Sequence, residues 1–457
     1  FPLNSEMAAV AFSSIFTTSY RRTTTLMAIC SFSFSPSPLF SKCNITRNVF
    51  NGRRCNSNKR IFTSAYPSQC TSSLDSLPNN VHIYTRLIPC TEINSMPRIE
   101  HLVVTEESPV QEYISKTLDL PPMFVADLIE FGAVHYALVC PQPPPTASTS
   151  DFNTFKYYTS PSLLEKRASI RHKTLRDAQK THRLTNSHQT LEIGTYLRVH
   201  VHPKRFPICY KVDWKSRILS VTESFVVLNK PAGVPVGGTT DNIEESCVNF
   251  ASRSLGLARP LKTTHQIDNC TEGCVVLARN NDFCSIFHEK LRERKVKKEY
   301  KALAGAHVAT GVMKHYMQPG KYAPKLVSKE YVKGWHLCEL EVMECKEVRW
   351  PEAAAMERKW VDDCGRRSES AYECKLRLIT GKTHQIRAQF AACGAPLVGD
   401  TLYGAAAAVG DMKKTEDERK ALHGKEPKGG IGLQACGISW DDGIFAYQAG
   451  LPWWRSP

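Results

Sequence analysis

The pattern of hydrophobic and polar positions predicts a small α+β module over residues 109–206. Apolar residues share one helical face in each of two stretches, Val110, Ile114 and Leu118 in the first and Phe124, Leu128 and Phe131 in the second. This spacing predicts two short amphipathic helices, and the Pro-Pro pair at 121–122 marks the start of the second, where proline costs least. Leu197, Val199 and Val201 then alternate with polar residues, as in a strand that closes the module.

From about residue 212 onward, short strand-like and helix-like stretches alternate irregularly. The segment RILSVTESFVVLNKPAGVPV, for example, contains an apolar strand followed by a Pro/Gly turn. This order predicts a larger α+β domain at 212–457 with a mostly antiparallel sheet. Residues 405–430 are polar, charged and flanked by glycines, and they are expected to form an exposed loop. Residues 75–108 show no clear period and are interpreted as a linker.

The N-terminal part of the chain has the composition of a targeting segment. Residues 7–74 contain eight Lys or Arg and no acidic residue, and they are rich in Ser and Thr. We therefore predict a disordered transit peptide over residues 1–74, with an ordinary disordered tail as the alternative. The stretch lacks a clear amphipathic helix bearing arginines, so it favours the chloroplast over the mitochondrion.

Charge and cysteine usage narrow the class of partner. The formal net charge is +15, and residues 75–457 contribute +8 of it, from 51 basic and 43 acidic residues. Such an excess favours nucleic acid over a membrane, and no apolar run approaches the roughly 20 residues that span a bilayer. The 17 cysteines are scattered, which indicates a reducing compartment. No phosphate-binding glycine loop and no metal-ligand spacing is present, since Cys270, Cys274 and Cys284 do not form a CxxC pair.

Four segments of the larger domain together resemble the motifs of RluA-type RNA pseudouridine synthases. In chain order they read VLNKPAGVPV at 227–236, HQIDNCTEGCVVLAR at 265–279, KKEYKALAG at 297–305 and LITGKTHQIRAQFAACGAPLVGDTLYG at 378–404. GLQACGISW at 432–440 resembles the closing strand of the family, so the resemblance covers nearly all of residues 212–440. The second segment departs from the family signature twice, with Gln266 in place of Arg and Glu272 in place of Ser.

The resemblance implies an isomerase that rearranges uridine to pseudouridine in ribosomal or transfer RNA. It implies a central cleft across the sheet of the catalytic domain, and a monomer that acts without metal or nucleotide cofactor. The module at 109–206 resembles a small RNA-binding module that many of these enzymes share with a ribosomal protein. The target uridine is expected to flip out of its RNA, because the anomeric carbon is inaccessible in a stacked helix, and single-stranded loops are the expected targets.

The chemistry requires a carboxylate beside the ribose, and Asp268 is the candidate. It either attacks the anomeric carbon or removes a proton from the neighbouring ribose carbon. The resemblance implies that Arg387 binds both oxygens of Asp268 and that Tyr300 offers an aromatic face and a phenol to the uracil. The implied substrate contacts are His265, Gln266, Thr271 and Ile386. His265 and His384 are expected to serve as hydrogen-bond donors to loop backbone.

Three alternatives stay open at this point. The charged stretch at 290–301 is either a solvated helix end or a row of phosphate contacts. The basic run at 166–183 is likewise either a solvated face or a phosphate-contacting loop. Because Gln266 carries no charge and stacks less well than Arg, the chain could also be an RNA-binding protein that has lost turnover.

Overall fold

A computed structural model of the chain describes residues 83–87, 98–143, 149–320, 323–351, 370–403 and 424–455. The predicted transit peptide and most of the predicted loop at 405–430 lie outside these ranges. The described chain divides into two compact units. The smaller comprises Tyr84–Lys204 with Thr240–Asn242, and the larger comprises Arg205–Thr239 with the residues from Ile243 onward.

The smaller unit combines helices with an antiparallel sheet of strand order β1-β4-β2-β3. Its strands are β1 (Ile99–Val103), β2 (Val134–Ala137), β3 (His182–Arg183) and β4 (Tyr196–His200). Its helices are α1 (Val110–Leu118), α2 (Pro122–Glu130), α3 (Thr149–Tyr158), α4 (Pro161–Leu164) and α5 (Leu175–Ala178), with a 3-10 turn at Ala168–Ile170. Both predicted helices and the predicted strand are confirmed, and their apolar faces meet in one core.

The residues interpreted as a linker contain part of this sheet. Strand β1 lies within 75–108 and pairs along its whole length with β4, from Ile99 opposite His200 to Val103 opposite Tyr196. The linker interpretation is therefore wrong for this stretch. Its sequence, IEHLV, is too short to show an alternating pattern, and its partner strand lies almost a hundred positions later in the chain.

The larger unit is built on a sheet of 11 strands within the described residues, in the order β11-β10-β12-β13-β9-β14-β8-β6-β5, with β15 beside β14 and β7 beside β8. The strands are β5 (Ile218–Val221), β6 (Phe225–Lys230), β7 (Lys262–Thr263), β8 (Glu272–Ala278), β9 (Lys297–Ala304), β10 (Gly311–Met317), β11 (Val327–Ser328), β12 (His336–Arg349), β13 (Ser370–Leu378), β14 (Leu433–Trp440) and β15 (Phe445–Gln448). The helices are α6 (Cys247–Ser254), α7 (Asn281–Arg292) and α8 (Gln385–Ala392), with 3-10 turns at Pro207–Tyr210 and Asp441–Gly443. All the described pairings are antiparallel except that of β14 with β8, so the predicted α+β fold with a mostly antiparallel sheet is confirmed.

Strand β14 lies between β8 and β9 and joins the two motif-bearing strands. The parallel contact with β8 is close at Gly273, whose φ of +115° is rarely adopted by L side chains. A Cβ atom there would lie 2.2 Å from the carbonyl oxygen of Ala435 on β14. Glu272, the departure from the family Ser, is mostly buried and accepts a hydrogen bond from the backbone N–H of Trp453 at 3.0 Å. It thereby ties a C-terminal segment to the start of β8.

Candidate active site

Asp268 lies in the loop between β7 and β8, as predicted, and 19% of its side chain is exposed. Backbone hydrogen bonds hold the loop at Asp268 and at the residue that follows it. The N–H of Thr271 donates to the carbonyl of Asp268 at 3.0 Å, and the N–H of Gly233 donates to the carbonyl of Asn269 at 2.7 Å. The carboxylate therefore stands on a short, internally bonded loop.

Lys230 binds the same loop through its buried ammonium group, and the sequence analysis did not predict this contact. Its side chain is fully buried, and its ammonium donates to the carbonyls of Pro231 at 2.9 Å, Val234 at 2.6 Å and Asn269 at 3.0 Å. Burial lowers the pKa of Lys230. Through these three carbonyl acceptors, Lys230 joins the Pro/Gly turn after β6 to the loop that carries Asp268. The Lys-Pro pair in the first motif is the sequence feature from which this role could have been predicted.

Arg387 is the centre of the site. It lies on α8 and is completely buried. Its Nε and Nη2 donate to the two oxygens of Asp400 at 2.7 and 2.9 Å, and its Nη1 donates to Glu426 at 2.9 Å. Asp268 is farther away, at 3.5 Å from Nη1.

This geometry corrects the predicted pairing. The two parallel hydrogen bonds expected between Arg387 and Asp268 are made instead with Asp400, which is as fully buried as the arginine. Asp268 receives the guanidinium charge from the side, through Nη1 alone. Sequence reasoning missed both Asp400 and Glu426, although Asp400 stands inside the fourth motif, in GDTLYG.

Burial and charge act in opposite directions on Asp268. Desolvation raises the pKa of its carboxyl group, while Arg387 and Lys230 both lower it, and the net shift is upward from the ordinary value. The nearby cations therefore stabilise the ionised form against a site that otherwise favours the neutral acid.

Tyr300 is brought to the same place by β9. Its side chain is buried at 6% exposure, in a cluster with Ile386 of α8 and Cys270 of the Asp268 loop. Burial first, and the carboxylate of Asp268 second, raise the pKa of the phenol. The phenol is therefore protonated at neutral pH, and the structure brings together Asp268, Arg387, Tyr300 and Ile386.

The remaining candidates differ in exposure. Gln266 is exposed, whereas Thr271 is buried at 1% and does not reach the surface. The Nε2 of His265 accepts a hydrogen bond from the N–H of Val276 at 3.1 Å, so the expected donor is an acceptor. Burial, aided by the charge of Lys298, lowers the pKa of His265 to about 3 and keeps it neutral. His265 therefore joins the segment before Asp268 to β8, whereas Thr271 contacts Asp268 through its backbone N–H.

His384 lies in the site, with side-chain partners where backbone partners were expected. Its Nε2 accepts from Nη1 of Arg387 at 3.2 Å, so its Nδ1 carries the proton that faces the hydroxyl of Tyr403 at 3.1 Å. Its Nε2 is 3.8 Å from Asp268. Burial, and then the charge of Arg387, lower the pKa of His384 to about 4. A neutral His384 thus helps to fix the guanidinium.

Within the described ranges, no three His, Cys, Asp or Glu side chains are grouped so that they could hold a metal ion. Among the helices that the structure describes, none is long and apolar enough to cross a membrane.

Comparison with known proteins shows the family to which the chain belongs. Residues 224–392 match the family described as RNA pseudouridylate synthase. The chain is 58% identical over 414 residues to RNA pseudouridine synthase 6, chloroplastic, of Arabidopsis thaliana, covering 85% of this chain and 88% of the relative. It is 54% identical over 396 residues to the protein of the same name from Oryza sativa subsp. japonica, covering 82% and 83%.

A more distant relative is ribosomal large subunit pseudouridine synthase C of Buchnera aphidicola, with 26% identity over 252 residues, 51% of this chain and 71% of the relative. The chain therefore belongs to the RNA pseudouridine synthases, in the RluA-type family that its motifs indicated. It is an isomerase of RNA. Both plant relatives are chloroplastic, which confirms the preference for the chloroplast over the mitochondrion.

Proposed function

We propose that Asp268 is the catalytic carboxylate with which this enzyme converts uridine to pseudouridine in chloroplast RNA. One observation carries the proposal. Of the three carboxylates around Arg387, Asp400 is sealed in the core and Glu426 is about half exposed, whereas Asp268 is both held by the loop and open at one side. It also lies close enough to Tyr300 to raise the pKa of its phenol.

The reaction is balanced without a cofactor. The bond between uracil N1 and ribose C1′ breaks, the base turns, C5 bonds to C1′, and the proton lost from C5 is matched by one gained at N1. Asp268 in its ionised form either attacks C1′ or takes a proton from C2′. Tyr300 packs against the uracil and its protonated phenol can exchange a proton with the base. Arg387 keeps Asp268 ionised and in place, and a monomer contains all three groups.

Ribosomal RNA is the first candidate substrate, because the Buchnera relative is named for the ribosomal large subunit; transfer RNA is the second. The smaller unit would supply affinity. Arg171, Lys173, Arg176 and Lys180 of its basic run are exposed, as phosphate-contacting residues need to be. The uridine would flip into the predicted cleft beside Asp268, at whose loop Gln266 is exposed.

The test combines mapping with one substitution. Pseudouridines are mapped in chloroplast RNA from plants that contain or lack the protein, and the missing sites define the substrate. The purified wild-type protein and Asp268→Asn are then given an RNA stem-loop that contains a mapped uridine. We expect Asp268→Asn to bind the RNA nearly as well as wild type and to form no pseudouridine. Turnover close to wild type by this variant would refute the assignment of Asp268.

The rival function, RNA binding without turnover, makes the opposite prediction for the map. Its support was Gln266, but the groups that the chemistry needs are assembled around Arg387. An unchanged pseudouridine map in plants without the protein, together with an inactive wild-type protein, would favour the rival.

A further inference from the structure

Lys298 lies on the active-site face of β9. Side chains alternate along a strand, so Lys298 and Tyr300 point to the same side, about 7 Å apart along the chain direction. That side also carries Ala302 and Ala304, which pack with Ile386 of α8 in the cluster that contains Tyr300. Lys298 is therefore the next residue beyond Tyr300 on the face that the Asp268 loop and α8 share.

The ammonium of Lys298 lies between two segments that build the site. Its Nζ is 3.8 Å from the position that a Cβ atom on Gly381 would take, at the start of the turn that leads into α8. Its charge also helps to lower the pKa of His265, at the root of the Asp268 loop. The neighbouring Lys382 and Gly381 are exposed, so this cation stands where the site opens to solvent.

Within the part of the chain that the structure describes, this ammonium has no carboxylate partner. Burial alone lowers the pKa of Lys298, and no acidic group raises it. The adjacent Glu299 points to the opposite face of the strand and pairs with Lys375 at 3.2 Å. A partly buried cation without a counter-charge costs free energy, and an anionic ligand removes that cost.

Other cations of the stretch 290–301 behave differently. Lys290 pairs with Asp441, and Lys295 pairs with Glu293 at 2.8 Å, while Lys297 is exposed and alternates to the other face. The prediction of a solvated helix end fits Lys290 and Lys295, at and just after the end of α7, whereas Lys297 begins β9. It does not fit Lys298.

We propose that Lys298 binds a phosphate of the RNA next to the target uridine and thereby positions the flipped nucleotide over Asp268. The proposal rests on the proposed function, since RNA must be the substrate, and it adds a specific positioning contact. A phosphodiester is the anion that necessarily accompanies a uridine into the site, and an ammonium binds it as a point charge.

The test compares Lys298→Met and Lys298→Arg with the matched control Lys297→Met, on the stem-loop that contains a mapped uridine. Lys298→Met should weaken RNA binding about tenfold and reduce the slope of log K against log salt by about 0.7 to 0.9. Lys298→Arg should restore both quantities, and Lys297→Met should match wild type in binding. Thermal unfolding verifies that each variant is folded, and Lys298→Gln replaces the Met variant if that one does not fold.

A second arm identifies the phosphate. Single neutral methylphosphonates replace the phosphates that flank the uridine, one at a time. One of them should weaken binding by wild type and leave binding by Lys298→Met unchanged. Equal losses of binding in both proteins at every position would overturn the proposal. An unchanged salt slope for Lys298→Met, with a loss only in the rate of the chemical step, would also overturn it, because that result would indicate a contact to uracil. Failure of the proposed function would appear separately, as turnover by Asp268→Asn.

Discussion

Replacing Arg387 by Lys is the most informative single change, because it keeps the charge and removes the geometry. The guanidinium donates to both oxygens of Asp400 and to Glu426, and it lies 3.5 Å from Asp268. A single ammonium on an unbranched stem cannot occupy these positions at once. We expect the variant to lose stability and to lose rate in the chemical step.

The magnitude follows from the contacts that are lost. At least two charge-assisted hydrogen bonds disappear, and each contributes about 1.5 to 3 kcal/mol. The free energy of unfolding should therefore fall by about 3 to 6 kcal/mol, comparable with the cost of about 3 to 5 kcal/mol for breaking a buried ion pair. Because Asp268 is then held more loosely, the rate of the chemical step should fall about a hundredfold.

The assay is single-turnover pseudouridine formation, with chemical denaturation measured on the same preparations. Arg377→Lys is the matched control, since that arginine is half exposed and pairs with Glu341 at the surface, where an ion pair contributes about 1 kcal/mol or less. Gln266→Arg restores the family residue at an exposed position and should be neutral or mildly activating. Wild-type behaviour of Arg387→Lys, together with loss of turnover in Gln266→Arg, would show that the roles assigned at this site are wrong.

Two further predictions concern pH and the smaller unit. Because burial raises the pKa of Asp268 and the ionised form reacts, the single-turnover rate should decline on acidification at a higher pH than an ordinary aspartate would give. Arg387 lowers that pKa, so Arg387→Met should move the acidic limb to still higher pH; an acidic limb at the same pH in both proteins would contradict this assignment. A chain that begins at Arg205 lacks the described strands and helices of the smaller unit, and its RNA binding should be weaker, with a flatter salt dependence, while the chemical step on bound RNA is less affected. Identical binding curves across salt for both chains would reject the RNA-binding role of this unit.

The sequence predicted the elements of the site better than the contacts between them. The spacing of the motifs placed Asp268 in a loop before a buried strand, and the structure confirms it. The sequence could not show that Arg387 binds Asp400, because the partner of a buried arginine depends on which acidic groups the fold places beside it. A buried guanidinium is poorly compensated by one partly exposed carboxylate such as Asp268, and the second acid, Asp400, lies among the motif residues.

Two other differences have equally local causes. His265 accepts a hydrogen bond where a donor was expected, because the strand presents it with the N–H of Val276, and a neutral imidazole can play either part. Strand β1 escaped prediction because its five residues gain their order from β4. The partner of β1 is a strand distant in the chain, and the partner of His265 is a backbone N–H group. Neither kind of partner produces a recognisable pattern in the sequence.

The position of β14 has a consequence for folding, because its neighbours β8 and β9 precede it by more than a hundred positions in the chain. In the described sheet, β14 lies between the strand that follows Asp268 and the strand that carries Tyr300, and Gln434 meets Glu272 across 162 positions of sequence. Closing so long a loop is slow, and contacts of high sequence separation form late. A chain that emerges N-terminus first from a ribosome or from an import channel is therefore expected to lack the strand that completes the sheet between Asp268 and Tyr300. We therefore expect pseudouridine formation only after residues 433–440 have joined the sheet.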